Sequence, residues 1–304
     1  CMTFKNLKKY LSSIAEFKDI DSWCFKNFEG GIVARHKYQI SYREQKYFVK
    51  DIKENEKNIL KILNIIGADF IPRIIYPELL DKNILVSEYI EGTRLSSKKL
   101  DPELVIKYAR FQNLLNNKGY LESNHLINLA NYSDSDGGFF KSTIKTNFNY
   151  GYRCLRSLRK FNLEIVELNL NIMEKLREER KDIIHDFSTM PFARQHHDFK
   201  EDNIIGCPQK LTDWGSSYGY GPFLFDIAPF LLNDRNNYEL FIKNSDICQL
   251  YDHQTIDRWL FVSAVARFVE NLRYRLRDND LLEDQGACKS YLQYEYQTYL
   301  TLLK

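Results

Sequence analysis

The first pattern along the chain is an alternation of apolar and polar positions. From Phe28 to Ile52 the runs FEGGIVARHKYQISY and KYFVKDI are split by the polar break Arg43-Glu44-Gln45. They carry the period of two that half-buried strands require, because successive side chains point to opposite faces. ENEKNILKILNIIG then shifts to helical spacing and stops at Gly67, a residue suited to the left-handed turn that closes a helix. RIIYP and KNILVSEYI predict two more strands around a turn at Asp81-Lys82-Asn83, so this part reads as three strands, a helix and two strands.

Past Gly92 the spacing becomes helical. DPELVIKYARFQNLL has Asp101 in position to cap and Pro102 at the first helical position, and LEIVELNLNIMEKLREERKDII and IDRWLFVSAVARFVENLRYRL follow. The change at residues 90 to 95 predicts an N-terminal lobe over 1–92 and a C-terminal lobe over 93–304. The expected fold class is α+β and bilobal, a small antiparallel sheet followed by a larger, mainly helical lobe.

Composition narrows the partners. With 304 residues, 44% of them hydrophobic, the chain can bury one large or two modest cores. Its 43 basic and 41 acidic side chains leave no field directed at nucleic acid or an anionic membrane. No apolar run approaches the ~20 residues that span a bilayer, and KNLKKYLSSIAEF lacks the apolar core of a secretory signal. The expected location is cytoplasmic, with no nucleic acid and no membrane as partner. The cysteines at 24, 154, 207, 248 and 288 form no Cys-x-x-Cys pair, which suits reduced thiols. NYSDSDGGFF offers Asp134 and Asp136, but the twelfth position from Asp134 is Lys145 where a calcium loop needs a bidentate Glu; it reads as a polar turn.

The chemistry concentrates in ARQHHDFKEDNIIGCPQKLTDWGSSYGYGPFLFDIA. Asp198 precedes Asn203 by five residues; a short strand, a turn at Pro208-Gln209-Lys210 and a second strand lead to Asp213. Such a hairpin would let Asn203 and Asp213 converge on one divalent cation. Phosphoryl transfer needs that set: hard oxygen ligands for magnesium and a carboxylate that accepts the proton of the attacking hydroxyl. Adjacent His196 and His197 point apart on a strand and do not serve one ion.

H-x-D-x-x-x-x-N followed by D-W-G resembles the catalytic loop and metal-binding aspartate of the aminoglycoside phosphotransferase and choline kinase superfamily, relatives of the protein kinases. The resemblance implies a protein-kinase-like fold, ATP or GTP as phosphoryl donor and Mg2+ as cofactor. It implies Asp198 as catalytic base, Asn203 and Asp213 as magnesium ligands, His196 as the brace of the loop and Asp226, in GPFLFDIA, as its anchor. Lys50, ending KYFVK, matches the lysine that contacts the α- and β-phosphates and pairs with a glutamate on the next helix. Of Glu54 and Glu56, helical geometry selects Glu56, which shares a face with Leu60 and Leu63. Gly30 and Gly31 let backbone approach phosphate or form a hairpin turn; both readings stand. LVSEYIEG resembles the interlobe hinge, with backbone groups near Glu88 and Ile90 for adenine.

The acceptor is less legible. HHDFKEDN also resembles the loop of serine/threonine protein kinases, whose lysine two places after the aspartate is Lys200 here, placed to steady the transferring phosphate. Only twelve residues separate Asp213 from Asp226 and no A-P-E follows, which favours a small-molecule hydroxyl over a peptide. A pseudokinase is the alternative from another class, disfavoured because Lys50, Asp198, Asn203 and Asp213 are all retained. A cationic acceptor such as an aminoglycoside or choline would call on acids or aromatics among Asp252, Asp257, Trp259, Glu270, Asp278, Asp280, Glu283 and Asp284, although interleaved arginines favour a solvated mixed-charge face. YRCLRSLRK reads as a basic helix face.

Overall fold

A computed structural model of the chain describes residues 4–12, 14, 24–27, 37–42, 44–95, 99–130, 138–216, 219–275 and 284–299. Gly30, Gly31, Asp134, Asp136, Asp278, Asp280 and Glu283 lie outside the described residues. After α1 (Phe4–Ser12), four antiparallel strands stand in sequential order: β1 (Cys24–Asn27), β2 (Lys37–Tyr42), β3 (Gln45–Asp51) and β4 (Ile84–Glu88), with α2 (Glu54–Ile65) between the last two. The period of two gives the sheet two faces. Tyr38, Ile40, Tyr47, Val49, Ile84 and Val86 close a small outer core with Leu11 of α1. Lys37, Phe48, Lys50, Leu85 and Ser87, which alternate with them, line a cavity. Gly67 follows α2 at φ +63, the turn its position predicts.

β1, at 24–27, lies upstream of the run read from Phe28, and residues 28–36 lie outside the described residues. One strand differs from the reading of the sequence. RIIYP forms only an isolated bridge, Ile74 to Ser87, flanked by bonds from Glu88 N to Arg73 O and from Ile75 N to Val86 O. Pro72 and Pro77 bound that segment, and proline can neither donate to a ladder nor leave its fixed φ. The Asp81-Lys82-Asn83 turn is a 3-10 run, Pro77–Lys82, ended by Asn83 at φ +59.

The rest is mainly helical: α3 (Pro102–Asn116), α4 (Lys118–Ser123), α5 (Ile127–Ala130), α6 (Gly138–Ser157), α7 (Glu164–Glu178) and α8 (Arg180–Thr189) precede a region of short strands. There β5 (Phe192–Arg194) pairs with β8 (Tyr220–Pro222), and β6 (Ile204–Ile205) with β7 (Lys210–Leu211). Helices α9 (Ala228–Leu231), α10 (Arg235–Asn244), α11 (His253–Arg275) and α12 (Gln285–Tyr299) complete the chain. Asp101 occupies the cap position of α3, but its Oδ2 accepts from Gln209 N at 3.2 Å instead of capping, tying α3 to the β6–β7 turn. The long helical pattern over 163–184 breaks at Glu179, which with Asp186 clamps Arg258 of α11 at 3.2 and 2.8 Å. One continuous core joins α2 and α3 to α6, α7, α8, α11 and α12. Among the described residues no helix is long and apolar enough to cross a membrane.

Candidate active site

The cavity measures about 320 Å³ and is lined by Phe48, Leu60, Ile74, Leu85, Ile90 and Ile205 together with Lys50, Glu56, Asn203 and Asp213. Apolar walls with a few convergent charged groups are what a small-molecule site requires. Lys50 sits there because even-numbered β3 residues face inward. Glu56 joins it on the apolar face of α2, buried with Ile59, Leu60 and Leu63, whereas Glu54 is exposed and pairs with Lys57. Lys50 Nζ lies 2.5 Å from Glu56 and 2.9 Å from Asp213 Oδ1. Burial opposes the ammonium, yet the two carboxylates more than offset it and raise the Lys50 pKa. Burial likewise works against Asp213, but the Lys50 charge outweighs it and holds the carboxyl well below the usual range. Asn55 Nδ2 donates to Gly215 O at 3.1 Å, so α2 also grips the D-W-G segment.

Residues 195 to 203 form the loop beyond the cavity. His196 N and His197 N donate to Asp226 Oδ2 at 2.5 and 3.0 Å, and Tyr108 OH donates to the same oxygen at 2.8 Å. Asp198 N donates to His196 Nδ1 at 3.3 Å; Nε2 therefore carries the hydrogen and donates to Thr212 O at 2.9 Å. His196 thus links the loop to the residue before Asp213, and its ring packs on Trp214 at 4.6 Å. Asn203 Nδ2 donates to both Asp198 O, at 2.8 Å, and Asp198 Oδ2, at 2.9 Å. Lys200 Nζ lies 2.9 Å from the same Asp198 Oδ2. The β6–β7 hairpin brings Asn203 and Asp213 together, with Thr212 N and Oγ1 both donating to Asn203 O. His197 and Asp213 hold φ of +64 and +59, unusual for residues with a Cβ and a frequent mark of functional sites.

At the strand-to-helix junction, Tyr89 N donates to Lys46 O, so alternation turns the backbone of Glu88 away from β3. The N–H of Glu88 is spent on Arg73 O, and its carbonyl accepts from Ser87 Oγ at 3.3 Å with one lone pair left; Glu88 and Ile90 both line the cavity. Gly206, at φ +85, touches this junction: a Cβ there would stand 2.7 Å from Ile90 Cγ2. Gly206→Ala is expected to cost about 1–2 kcal/mol in stability from the left-handed backbone alone, read by urea denaturation, and to weaken binding of adenosine by displacing Ile90.

Burial lowers the pKa of His196 and of His197, against the pull of Asp226. Below about pH 6.5, the ordinary imidazole value, the unfolded chain takes up protons that the folded histidines refuse. Stability is therefore full above that pH and falls as pH drops through the depressed folded values. Denaturant midpoints are expected to decline only below about pH 6.5, and His197→Asn, which tolerates the left-handed backbone, to make the decline shallower.

Sequence reasoning missed Tyr108, Thr212 and Arg267. Arg267 is buried on α11, donating to Phe199 O at 3.2 Å and Glu270 at 2.7 Å. Of the residues considered for a cationic acceptor, three acids and the tryptophan make structural contacts. Asp252 accepts from Thr255 N at 2.9 Å, Asp284 from Gly286 N at 2.8 Å and Asp257 from Tyr238 OH, while Trp259 packs on Tyr251 and Phe223. In YRCLRSLRK, Arg159 pairs with Glu167 and Arg156 lies over Tyr152. Among the described residues no three His, Cys, Asp or Glu side chains gather as a metal site, so a cation here would rest on Asp213 and the amide oxygen of Asn203.

No protein-family model matches the chain, and no curated protein does. Solved structures do. A Plasmodium vivax ethanolamine kinase aligns over 99% of this chain and 89% of its own at TM-score 0.50 and 17% identity. A spectinomycin phosphotransferase, solved with ADP and spectinomycin, aligns over 92% of both chains at 0.51 and 12%. A Ralstonia eutropha protein assigned to the aminoglycoside phosphotransferases aligns over 99% of this chain and 98% of its own at 0.53 and 12%. At these identities the likeness establishes a shared fold, the α+β kinase-like one.

Proposed function

We propose that the chain is a small-molecule kinase that transfers the γ-phosphoryl group of ATP, or GTP, to a hydroxyl of an aminoglycoside-like antibiotic or a choline- or sugar-like metabolite. The observation that carries the reading is Asn203. Its Nδ2 holds the Asp198 carboxylate while its own place is on the cavity wall with Asp213, so one residue joins a candidate base to a candidate cation site. Asp198 orients the acceptor hydroxyl and takes its proton, and Lys200, paired with it, steadies the transferring phosphate. Lys50, fixed by Glu56, holds the nucleotide phosphates, and the Glu88 carbonyl and Ile90 backbone hold the base. A carboxylate and an amide oxygen form a hard, incomplete donor set that fits Mg2+, which leaves positions for phosphate and water. When bound, the ion offsets phosphate charge.

The short stretch from Asp213 to Asp226 supports a small acceptor. Of the acids considered for a cationic one, Glu270 is paired with the buried Arg267 at 2.7 Å, so its charge is already matched within the protein. A nucleotide-consumption screen over aminoglycosides, choline, ethanolamine and sugars tests the reading, with acceptor-stimulated turnover on at least one class expected. Nucleotide binding without turnover on any acceptor would favour a noncatalytic protein, and phosphate appearing on a protein would favour a protein kinase.

A further inference from the structure

We propose that Lys37 is a second phosphate-binding cation of this cavity, sharing the nucleotide's tail with Lys50. The inference rests on the nucleotide reading above. Lys37 opens β2 and is the register partner of Lys50 on β3. Directly opposed residues of an antiparallel pair point to the same face with Cβ atoms about 4.5–5.5 Å apart, and like charges so placed are destabilising. Both lysines line the cavity, Lys50 almost fully buried and Lys37 with its side chain 28% exposed at the rim.

Two carboxylates offset the pair unequally. Glu56 meets Lys50 at 2.5 Å, whereas Asp213 is shared, 2.9 Å from Lys50 and 4.0 Å from Lys37. The charges of Lys50 and Glu56 cancel, which leaves Lys37 balanced by the one carboxylate assigned to a cation. With Asp213 engaged by such a cation, Lys37 would face the cavity with no counter-charge from this group of four. A polyphosphate tail supplies it, whereas adenosine does not. Recognition should therefore grade with phosphate number through two strands, not through Lys50 alone.

The test is calorimetric titration of ATP, ADP, AMP and adenosine into the full chain and its Lys37→Gln and Lys37→Arg variants. One charge-assisted contact of about 1.5–3 kcal/mol predicts a loss of roughly tenfold or more in ATP affinity for Lys37→Gln, no loss for adenosine, and substantial recovery in Lys37→Arg. Without nucleotide, Lys37→Gln should melt no lower than wild type, because the like-charge pair is relieved, which separates lost binding from lost folding. Unchanged ATP affinity in Lys37→Gln, or an equal loss for adenosine, overturns the inference while the nucleotide reading stands. A wild-type chain that binds none of the four overturns both.

Discussion

Asp198→Asn is expected to lower turnover by about three orders of magnitude, roughly 4 kcal/mol of transition-state stabilisation, while ATP binds as before. The substitution separates charge from shape. Asn203 Nδ2 donates to Asp198 Oδ2, and an amide oxygen in that place can still accept it, so the loop keeps its geometry. What disappears is the negative charge to which the proposed mechanism gives the hydroxyl proton. Asp198 is not among the residues lining the cavity proposed for the nucleotide, where Lys50, Glu56, Asn203 and Asp213 are found. Affinity for ATP, measured by titration, should therefore stay within about twofold as turnover collapses. Turnover equal to wild type would remove Asp198 from the mechanism. Loss of ATP binding in parallel would instead assign it to the nucleotide.

What could be read in the sequence was whatever short-range spacing dictates. The helical face of Glu56 follows from residues three and four apart, and the even-numbered inward face of β3 follows from the strand period. The hairpin from Asn203 to Asp213 is likewise local. Tyr108 was not legible, because a tyrosine on an amphipathic helix looks like core until Asp226, over a hundred residues later, is seen to accept its hydroxyl. Thr212 meets His196 through a backbone carbonyl that any residue has. Arg267 looked like one charge among many on α11, and only its burial against Phe199 distinguishes it. RIIYP has the composition of a strand, but prolines on both sides reduce it to one bridge. The acids at 252, 257 and 284 show the same limit in reverse, since a cap or a tyrosine partner gives no mark in composition.

Asp226→Ala is expected to yield little folded protein. Its Oδ2 accepts from two backbone N–H groups and the Tyr108 hydroxyl, and alanine takes this acceptor away from all three donors inside the core. At about 1–3 kcal/mol for each buried donor left unmade, the sum rivals the whole stability of a typical domain, about 5–15 kcal/mol. Asp226→Asn keeps the shape and is the informative variant. Its amide oxygen can take the place of Oδ2 and preserve the three bonds in weaker form. Its NH2 then falls where Oδ1, buried, has no hydrogen-bond partner. Folded protein should be recovered with turnover reduced and ATP affinity near wild type, because Asp226 sets the loop and not the cavity. The charge has a second effect that a purely steric role would lack. Asp226 pulls the pKa of His196 and His197 upward against burial. Without that charge both fall further, so Asp226→Asn should lose stability to acid over a wider span below about pH 6.5 and differ least from wild type above it. Denaturant midpoints across that range check this; a constant offset at every pH would reduce Asp226 to a packing residue.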